Sequence, residues 1–417
     1  MVDQQRSFVM ESGERYCLLL DQSGLPLYFP NLYVTTQVRN RSLSFSAMES
    51  TLNGISVLNR YLEERDENLE VRFYEGRFLD DSELDAIRDF CQIRFRSRTT
   101  KEEPNVLLPL DGLQWSDDNV SSETVYVRLT VIAKYLKWLA EQLTGAPKDR
   151  LSVLQIGKME KALKSRRPVK KNRNTEINVK GLSGDQLDLL FELFRPESDL
   201  NPFKDRLSRV RNRLIFLMLY HLGLRGGELL NIRIRDIDFG NNQIIIARRA
   251  DEKDDPRCDQ PLVKTLDRRL PIKDTLVKEI HDYIIGARRL VANSARNDFL
   301  FITHKSGPTQ GQPLSKSAYK KIIGIVRRAS PSLFNLMGHQ FRYAWNEAFS
   351  DQMDSMNEPP SEEEQEKIRS YLMGWREGSG TAATYNKRFI RKKAIEAAIE
   401  LQNGMIRVPE GLDDEKS

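Results

Sequence analysis

The spacing of apolar positions changes character near residue 40 and again near residue 183. Residues 1–40 predict a small β-rich arm. Tyr16-Cys-Leu-Leu-Leu, Gly24-Leu-Pro and Leu32-Tyr-Val-Thr-Thr fit short strands broken by turn residues. From Ser42 the pattern becomes helical. Ser46-Ala-Met-Glu49 has capping-box spacing and opens a helix that runs on through Leu58 and Leu62. A second helix fits Asp81 to Phe95, and Pro104 to Asp118 reads as a connection. A third fits Ser122 to Leu143, with Val125, Leu129, Ile132, Leu136 and Leu139 on one face, and a fourth runs from about Arg150 to Lys164. Residues 41–165 therefore predict a small helical domain.

Residues 166–182 follow as a basic linker. Pro168 argues against a continuous helix, and Arg166, Arg167, Lys170, Lys171 and Arg173 suit either a solvated linker or a strap that tracks phosphates. A second domain spans 183–405, with a flexible tail over 406–417. Ser183 is a good N-cap for a helix over Asp185 to Phe194, and another helix fits Lys204 to Leu222. Ile232 to Phe239, a Gly240-Asn-Asn turn, Ile244-Ile-Ile-Ala and Val263 to Ile272 predict a three-stranded antiparallel sheet. Helices return at Asp274 to Asn293, Ser315 to Ala329, Gln340 to Phe349, Glu363 to Met373 and Asn386 to Gln402. Asp351 to Glu366, acidic and containing Pro359-Pro360, reads as a surface loop or insertion.

With 417 residues the chain is long enough for two or three domains with sizeable cores. Its 39% hydrophobic and 30% charged content suits a soluble protein with a large working surface. The net charge of +5, from 65 basic and 60 acidic residues, is only mildly basic, so the placement of charge matters more than its sum. Cys17, Cys91 and Cys258 are isolated, which suggests neither a zinc site nor a disulfide framework and points to a reducing compartment. The start lacks a signal-peptide apolar stretch, and the most apolar segment, Leu214 to Leu224, is too short to span a bilayer.

Several short segments carry candidate chemistry. Arg225 stands at the mouth of a helix, where the amides of Gly226-Gly227-Glu228 would add attraction for an anion. Taken alone, Arg225 would more readily be read as pairing with Glu228. His339 and Arg342, three residues apart, would share a helix face and could contact one phosphate together. Trp375 offers an indole N–H donor, and Tyr385 follows the Gly378-Ser-Gly380 turn.

In this order the segments resemble the tyrosine recombinases, the phage-type integrases that cut and rejoin DNA through a phosphotyrosine. Gly223-Leu-Arg-Gly-Gly-Glu-Leu229 matches each fixed position of the family's first box, which makes Glu228 a supporting residue for Arg225. His339-Gln-Phe-Arg342 resembles the second box, with Tyr343 where another histidine is usual. Gly374-Trp375 resembles the third, with tryptophan as a variant of the usual histidine. The family's nucleophile usually comes nine residues later; Tyr385 comes ten later (385 minus 375), which one inserted residue in the Gly-Ser-Gly turn would explain. Val263 to Ile272 resembles the family's Lys-Thr…Arg-x-x-Pro stretch and makes Lys264 the acid lysine. Lys253 is the alternative, because Asp251 to Gln260 is longer than usual. The match covers roughly residues 183–400, and 41–165 resembles the family's core-binding domain by pattern and position.

The resemblance implies a mainly α (α+β) protein whose helical core-binding domain and catalytic domain form a C-shaped clamp on duplex DNA. Tyr385 would attack a scissile phosphate, forming a 3′-phosphotyrosyl bond and freeing a 5′-hydroxyl. Arg225, Arg342, His339 and Trp375 would hold the phosphate, and preorganised donors of this kind are worth ~3 kcal/mol each. Lys264 would protonate the leaving oxygen, and His339 would help manage the proton of Tyr385. Guanidinium groups can supply the charge stabilisation and the phosphotyrosine keeps the bond energy, so neither metal nor ATP is required. The implied partners are double-stranded DNA and a homotetramer on two paired sites, monomeric or dimeric when free, with accessory DNA-bending proteins compatible and no membrane. The implied location is the cytoplasm, on the nucleoid of a prokaryotic host. Two other readings stay open: a non-catalytic DNA-binding regulator with a decayed site, and relaxation of strands in the manner of a type IB topoisomerase.

Overall fold

The computed structural model of the chain describes residues 3–95, 119–144, 150–169, 181–378 and 394–402. The chain divides into two compact units, residues 1–173 and 174–417.

The first unit opens with an antiparallel hairpin, β1 (Gln4–Val9) and β2 (Arg15–Leu20), in the register Gln4↔Leu20 to Val9↔Arg15. The segment Leu32–Thr36 does not continue it as a strand. Tyr28–Tyr33 forms helix α1, and Val34–Arg39 runs on as a π-helical turn. Propensity loses here to packing. Asn31 accepts from the Leu19 amide and donates to the Leu19 carbonyl, both at 2.8 Å, so a side chain satisfies the strand edge that another strand would have taken. The hydroxyls of Thr35 and Thr36 bond back to the carbonyls of Asn31 and Leu32. The ring of Tyr33 packs edge-on against Tyr135 and Trp138.

Four further helices complete the unit's frame: α2 (Phe45–Glu63), α4 (Asp81–Phe90), α5 (Ser122–Leu143) and α6 (Arg150–Ser165), with the short α3 (Leu69–Tyr74) between α2 and α4. The predicted capping box at Ser46 is absent: α2 begins after Ser44, a start that buries Phe45. An Asp80/Glu83 capping box starts α4, which ends at Phe90, short of Phe95, because Ile93 turns out to bridge Asn119. Helix α3 is marked in the sequence only by Asn68, whose side chain caps it. In α5 the five apolar positions predicted to face inward are all buried. They share one core with Tyr16, Cys17 and Leu19 of the hairpin and with Leu52 and Leu58 of α2. The expected connection over Pro104 to Asp118 lies outside the described residues.

The second unit begins at α7 (Gly184–Phe194), where Ser183 and Gln186 form a reciprocal capping box. Helix α8 (Arg206–Leu222) runs through the core and packs against the later helices α10 (Asp274–Tyr283) and α12 (Gln340–Asp354). After it come the single-turn α9 (Gly226–Leu229) and an antiparallel sheet of β3 (Ile237–Asp238), β4 (Gln243–Ile246) and β5 (Arg268–Pro271) in that order. Only Arg268–Pro271 of the expected third strand pairs, opposite β4 with Leu270 facing Ile244. Helices α11 (Lys316–Ala329) and α13 (Glu362–Met373) complete the described frame. The acidic stretch Asp351 to Glu366 is only in part a loop. Its first residues finish α12, and a Ser361/Glu364 capping box starts α13 within it. Residues 394–402 are helical, and the rest of the predicted terminal helix lies outside the described residues.

Candidate active site

The first box is built by a forced helix ending. At Gly223 α8 stops in the left-handed conformation, φ 59°, and a Cβ there would come 2.9 Å from Trp345 Cγ and 3.0 Å from Met373 Cε. Leu224 is then buried, and Arg225 takes an extended conformation with about a quarter of its side chain exposed.

Glu228 sits beneath it, 1% exposed, and draws four elements together. Its carboxylate accepts from the Arg225 amide at 3.2 Å, from the Arg225 guanidinium at 3.4 Å, from Arg268 Nη2 at 2.9 Å and from Thr265 Oγ1 at 2.9 Å. Arg342 Nη1 lies 3.8 Å away. Burial opposes ionisation of Glu228, but Arg268 and Arg342, together with the bonds from Arg268 and the Arg225 amide, outweigh it and hold the carboxyl below its usual range. Helix α9 has four residues, and the Glu228 carboxylate accepts from the Arg225 amide at its start.

His339 and Arg342 start α12 but do not present one face. His339 is exposed, with its ring edge-on to Tyr343. Arg342 is fully buried: Nη1 donates to the Gly223 carbonyl and Nη2 to the Met373 carbonyl, each at 2.8 Å. Those carbonyls are the C-terminal ends of α8 and α13, where a cation is favoured. The guanidinium carbon also lies 5.3 Å from the centre of the Trp375 ring. Gly374, φ 65°, ends α13; a Cβ there would come 2.8 Å from both Arg268 Nη1 and the Leu266 carbonyl oxygen. Trp375 follows, buried against Met373.

Lys264 is exposed, and the chain on either side of it is fixed. The Leu262 carbonyl runs so close to Gly227 that a Cβ there would meet it at 2.9 Å. Val263 is buried, Thr265 holds Glu228, and the Leu266 amide donates to the Gly374 carbonyl at 2.9 Å. These contacts join the Lys264 segment to the first and third boxes and explain why the strand pairing starts only at Arg268. Lys253 is also exposed, on a stretch anchored elsewhere: its neighbour Glu252 pairs with Arg233, and Arg257 ties the loop to the carbonyls of Leu230 and Leu314.

Of the linker residues, Arg166 pairs with Asp81 and Asp85 of α4, at 3.1 and 2.7 Å. Arg167 donates to the Lys164 carbonyl and Thr130 Oγ1 and lies over the Tyr126 ring. Both are therefore engaged with the first unit. Lys170, Lys171 and Arg173 lie outside the described residues, as does Tyr385.

Sequence reasoning passed over Arg268 and Thr265 as site residues. The signal was present in Arg268-Arg-Leu-Pro271, whose alternation buries Arg268 and Leu270 on one side. Arg268 also donates to the Leu372 carbonyl at 2.7 Å, so one buried cation joins β5, α9 and α13. Among the described residues no group of His, Cys, Asp and Glu could hold a metal ion, and no helix is long and apolar enough to cross a membrane.

Comparison with known proteins fits this arrangement. Residues 194–355 match the model of the phage integrase family. That range holds Arg225, Lys264, His339 and Arg342 and ends before Trp375 and Tyr385. Transposase A from transposon Tn554 of Staphylococcus aureus is 30% identical over 125 residues, covering 30% of this chain and 31% of that protein. A tyrosine recombinase XerC-like protein of Caldanaerobacter subterraneus is 25% identical over 165 residues, covering 36% of this chain and 42% of that protein. The chain thus spans less than half the length of these curated relatives. Among solved structures, the XerH site-specific recombinase bound to a palindromic difH substrate aligns over 85% of this chain and 80% of its own, with 16% identity and a TM-score of 0.46. The XerA recombinase aligns over 88% and 97%, with 14% identity and a TM-score of 0.37. Residues 194–355 thus match the phage integrase family and carry its first two boxes, and in this segment the chain is similar to the tyrosine recombinases.

Proposed function

We propose that the chain is a site-specific recombinase that breaks and rejoins duplex DNA for integration or excision of a mobile element. One observation carries the reading: the buried Glu228 carboxylate gathers Arg225, Arg268 and Thr265, with Arg342 3.8 Å away. Such a centre, rich in guanidinium and backed by one carboxylate, suits an anion with two non-bridging oxygens.

In the proposed reaction Tyr385 attacks the scissile phosphorus, and its oxygen forms the new P–O bond as the bond to the 5′-oxygen breaks. Arg225, the partly exposed guanidinium, binds the phosphate directly. Arg342 adds its charge from within the wall while bracing Gly223 and Met373. His339, exposed at the start of α12, takes part in moving the tyrosine proton, and the Trp375 indole closes the site. Lys264 delivers a proton to the leaving 5′-oxygen. Its anchored flanks favour it over Lys253, because a general acid must hold its geometry through the transition state. A 5′-hydroxyl from a partner strand then reverses the step. Four copies on two paired sites, in the cytoplasm and on the nucleoid, complete the proposal. Lys170, Lys171 and Arg173 would be the strap on the phosphate backbone, and Arg166 and Arg167 would help only by leaving their present partners.

The test is to trap the covalent intermediate. Nicked duplexes covering the DNA that flanks the gene are incubated with wild type and with Tyr385→Phe, and denaturant-stable adducts are resolved. An adduct lost in the variant supports the reading. Specific binding without an adduct would favour a regulator, and relaxation without strand transfer a topoisomerase.

A further inference from the structure

A tyrosine outside the family boxes sits between the first and second of them. Tyr319, in the first turn of α11, lies against two glycines. A Cβ on Gly226 would come 2.8 Å from its Cε1 and 3.3 Å from its hydroxyl oxygen, and a Cβ on Gly338 would overlap that oxygen. Gly226 follows Arg225, and Gly338 precedes His339. The ring therefore fills the seam between two residues assigned to the phosphate site, and neither glycine tolerates a side chain while it does so.

The hydroxyl oxygen is buried and has no hydrogen-bond partner. Burial pushes its pKa up, so the phenol stays neutral. Left in that state, the oxygen disfavours the fold relative to a phenylalanine of the same shape. A filler of this seam needs the ring alone, so the hydroxyl requires an explanation in another state of the molecule.

We infer that Tyr319 is a positioning residue: its ring sets the separation of Arg225 and His339, and its hydroxyl gains a partner as the DNA-bound site enters the transition state of cleavage. The hydroxyl then holds the Gly338–His339 turn in its reactive arrangement. This rests on the recombinase reading.

The full-length Tyr319→Phe variant tests it beside wild type, with the same nicked duplexes as probe. Two quantities are read: Tm without DNA, and the single-turnover rate of adduct formation at saturating DNA. Removing an unpartnered oxygen should raise Tm by roughly 2–4 °C. The same change should slow adduct formation roughly three- to tenfold, the value of one hydrogen bond, with Kd for DNA unchanged. A merely packing role predicts a rate equal to wild type, and that result overturns the inference. A lower Tm in the variant also overturns it, because the hydroxyl would then have a partner without DNA. If wild type itself forms no adduct, the recombinase reading falls and this inference with it. An adduct from wild type, formed equally fast by the variant, removes this inference alone.

Discussion

Replacing Glu228 by glutamine should destabilise the second unit far more than a one-atom change suggests. The carboxylate and Arg268 are each 1% exposed, and they lie 2.9 Å apart. Two other bonds converge on the same group, from Thr265 Oγ1 and the Arg225 amide. Glutamine keeps the shape but removes the charge, and one of its two ends must present hydrogens to donors. Arg268 would then be a buried cation without its counterion, and Arg342 would lose the negative charge 3.8 Å away. Breaking a buried ion pair from one side costs about 3–5 kcal/mol. For a unit of this size, that corresponds to a fall in Tm of roughly 6–20 °C. Differential scanning calorimetry measures it, and urea unfolding followed by tryptophan fluorescence gives an independent value. A loss below about 1 kcal/mol, the level of an exposed pair, would refute the claim that Glu228 is the electrostatic centre of the fold. Adding Arg268→Met to Glu228→Gln should recover part of the loss, since the stranded cation is removed.

Three further outcomes are expected. His304 is buried beside Arg211, burial being the larger effect, and its pKa is held down to about 3. The unfolded chain therefore binds a proton that the folded chain refuses: stability is full above pH 6.5 and falls by about 1.4 kcal/mol per pH unit between 6.5 and about 3. His304→Gln should flatten that acid limb in denaturant titrations at pH 7, 5 and 4, and an unchanged limb would assign it elsewhere. Gly374→Ala adds a Cβ in a left-handed conformation, 2.8 Å from a backbone oxygen, and should cost about 2–3 kcal/mol in urea melts; a neutral result would mean the α13 terminus can move. Lys264→Ala should slow cleavage about 100-fold or more and recover on a substrate with a bridging 5′-sulfur, whose leaving group needs no proton. Lys253→Ala should be unaffected on both substrates, and the reverse pattern would exchange the two assignments.

Where a local rule and the tertiary contacts agreed, the sequence could be read directly. Ser183 and Gln186 cap α7 as their spacing predicts, and the apolar face of α5 is the buried face. The first box is legible through its resemblance to the family's; taken alone, the residues point only to Arg225 pairing with Glu228, which the structure also shows. The failures share a cause, which is a partner distant in sequence. Leu32–Thr36 reads as strand by composition, but Asn31 had already satisfied the edge of β2. Arg268 meets Glu228 40 residues away along the chain, and Tyr319 meets Gly226 more than 90 residues away. His339 and Arg342 were expected to act side by side, yet their helix starts at the surface, so three residues carry the chain from solvent into the wall.

The N-terminal hairpin limits how this protein could have been assembled. A detachable arm can be traded between relatives by recombination of genes, since cutting it away leaves a folded remainder. Here Tyr16, Cys17 and Leu19 are built into the same core as Leu52, Leu58 and Leu136. Removing residues 1–40 would leave that core open on one side. The heritable module is therefore the whole first unit, and its exchange between genes would have to carry the hairpin along with the helices.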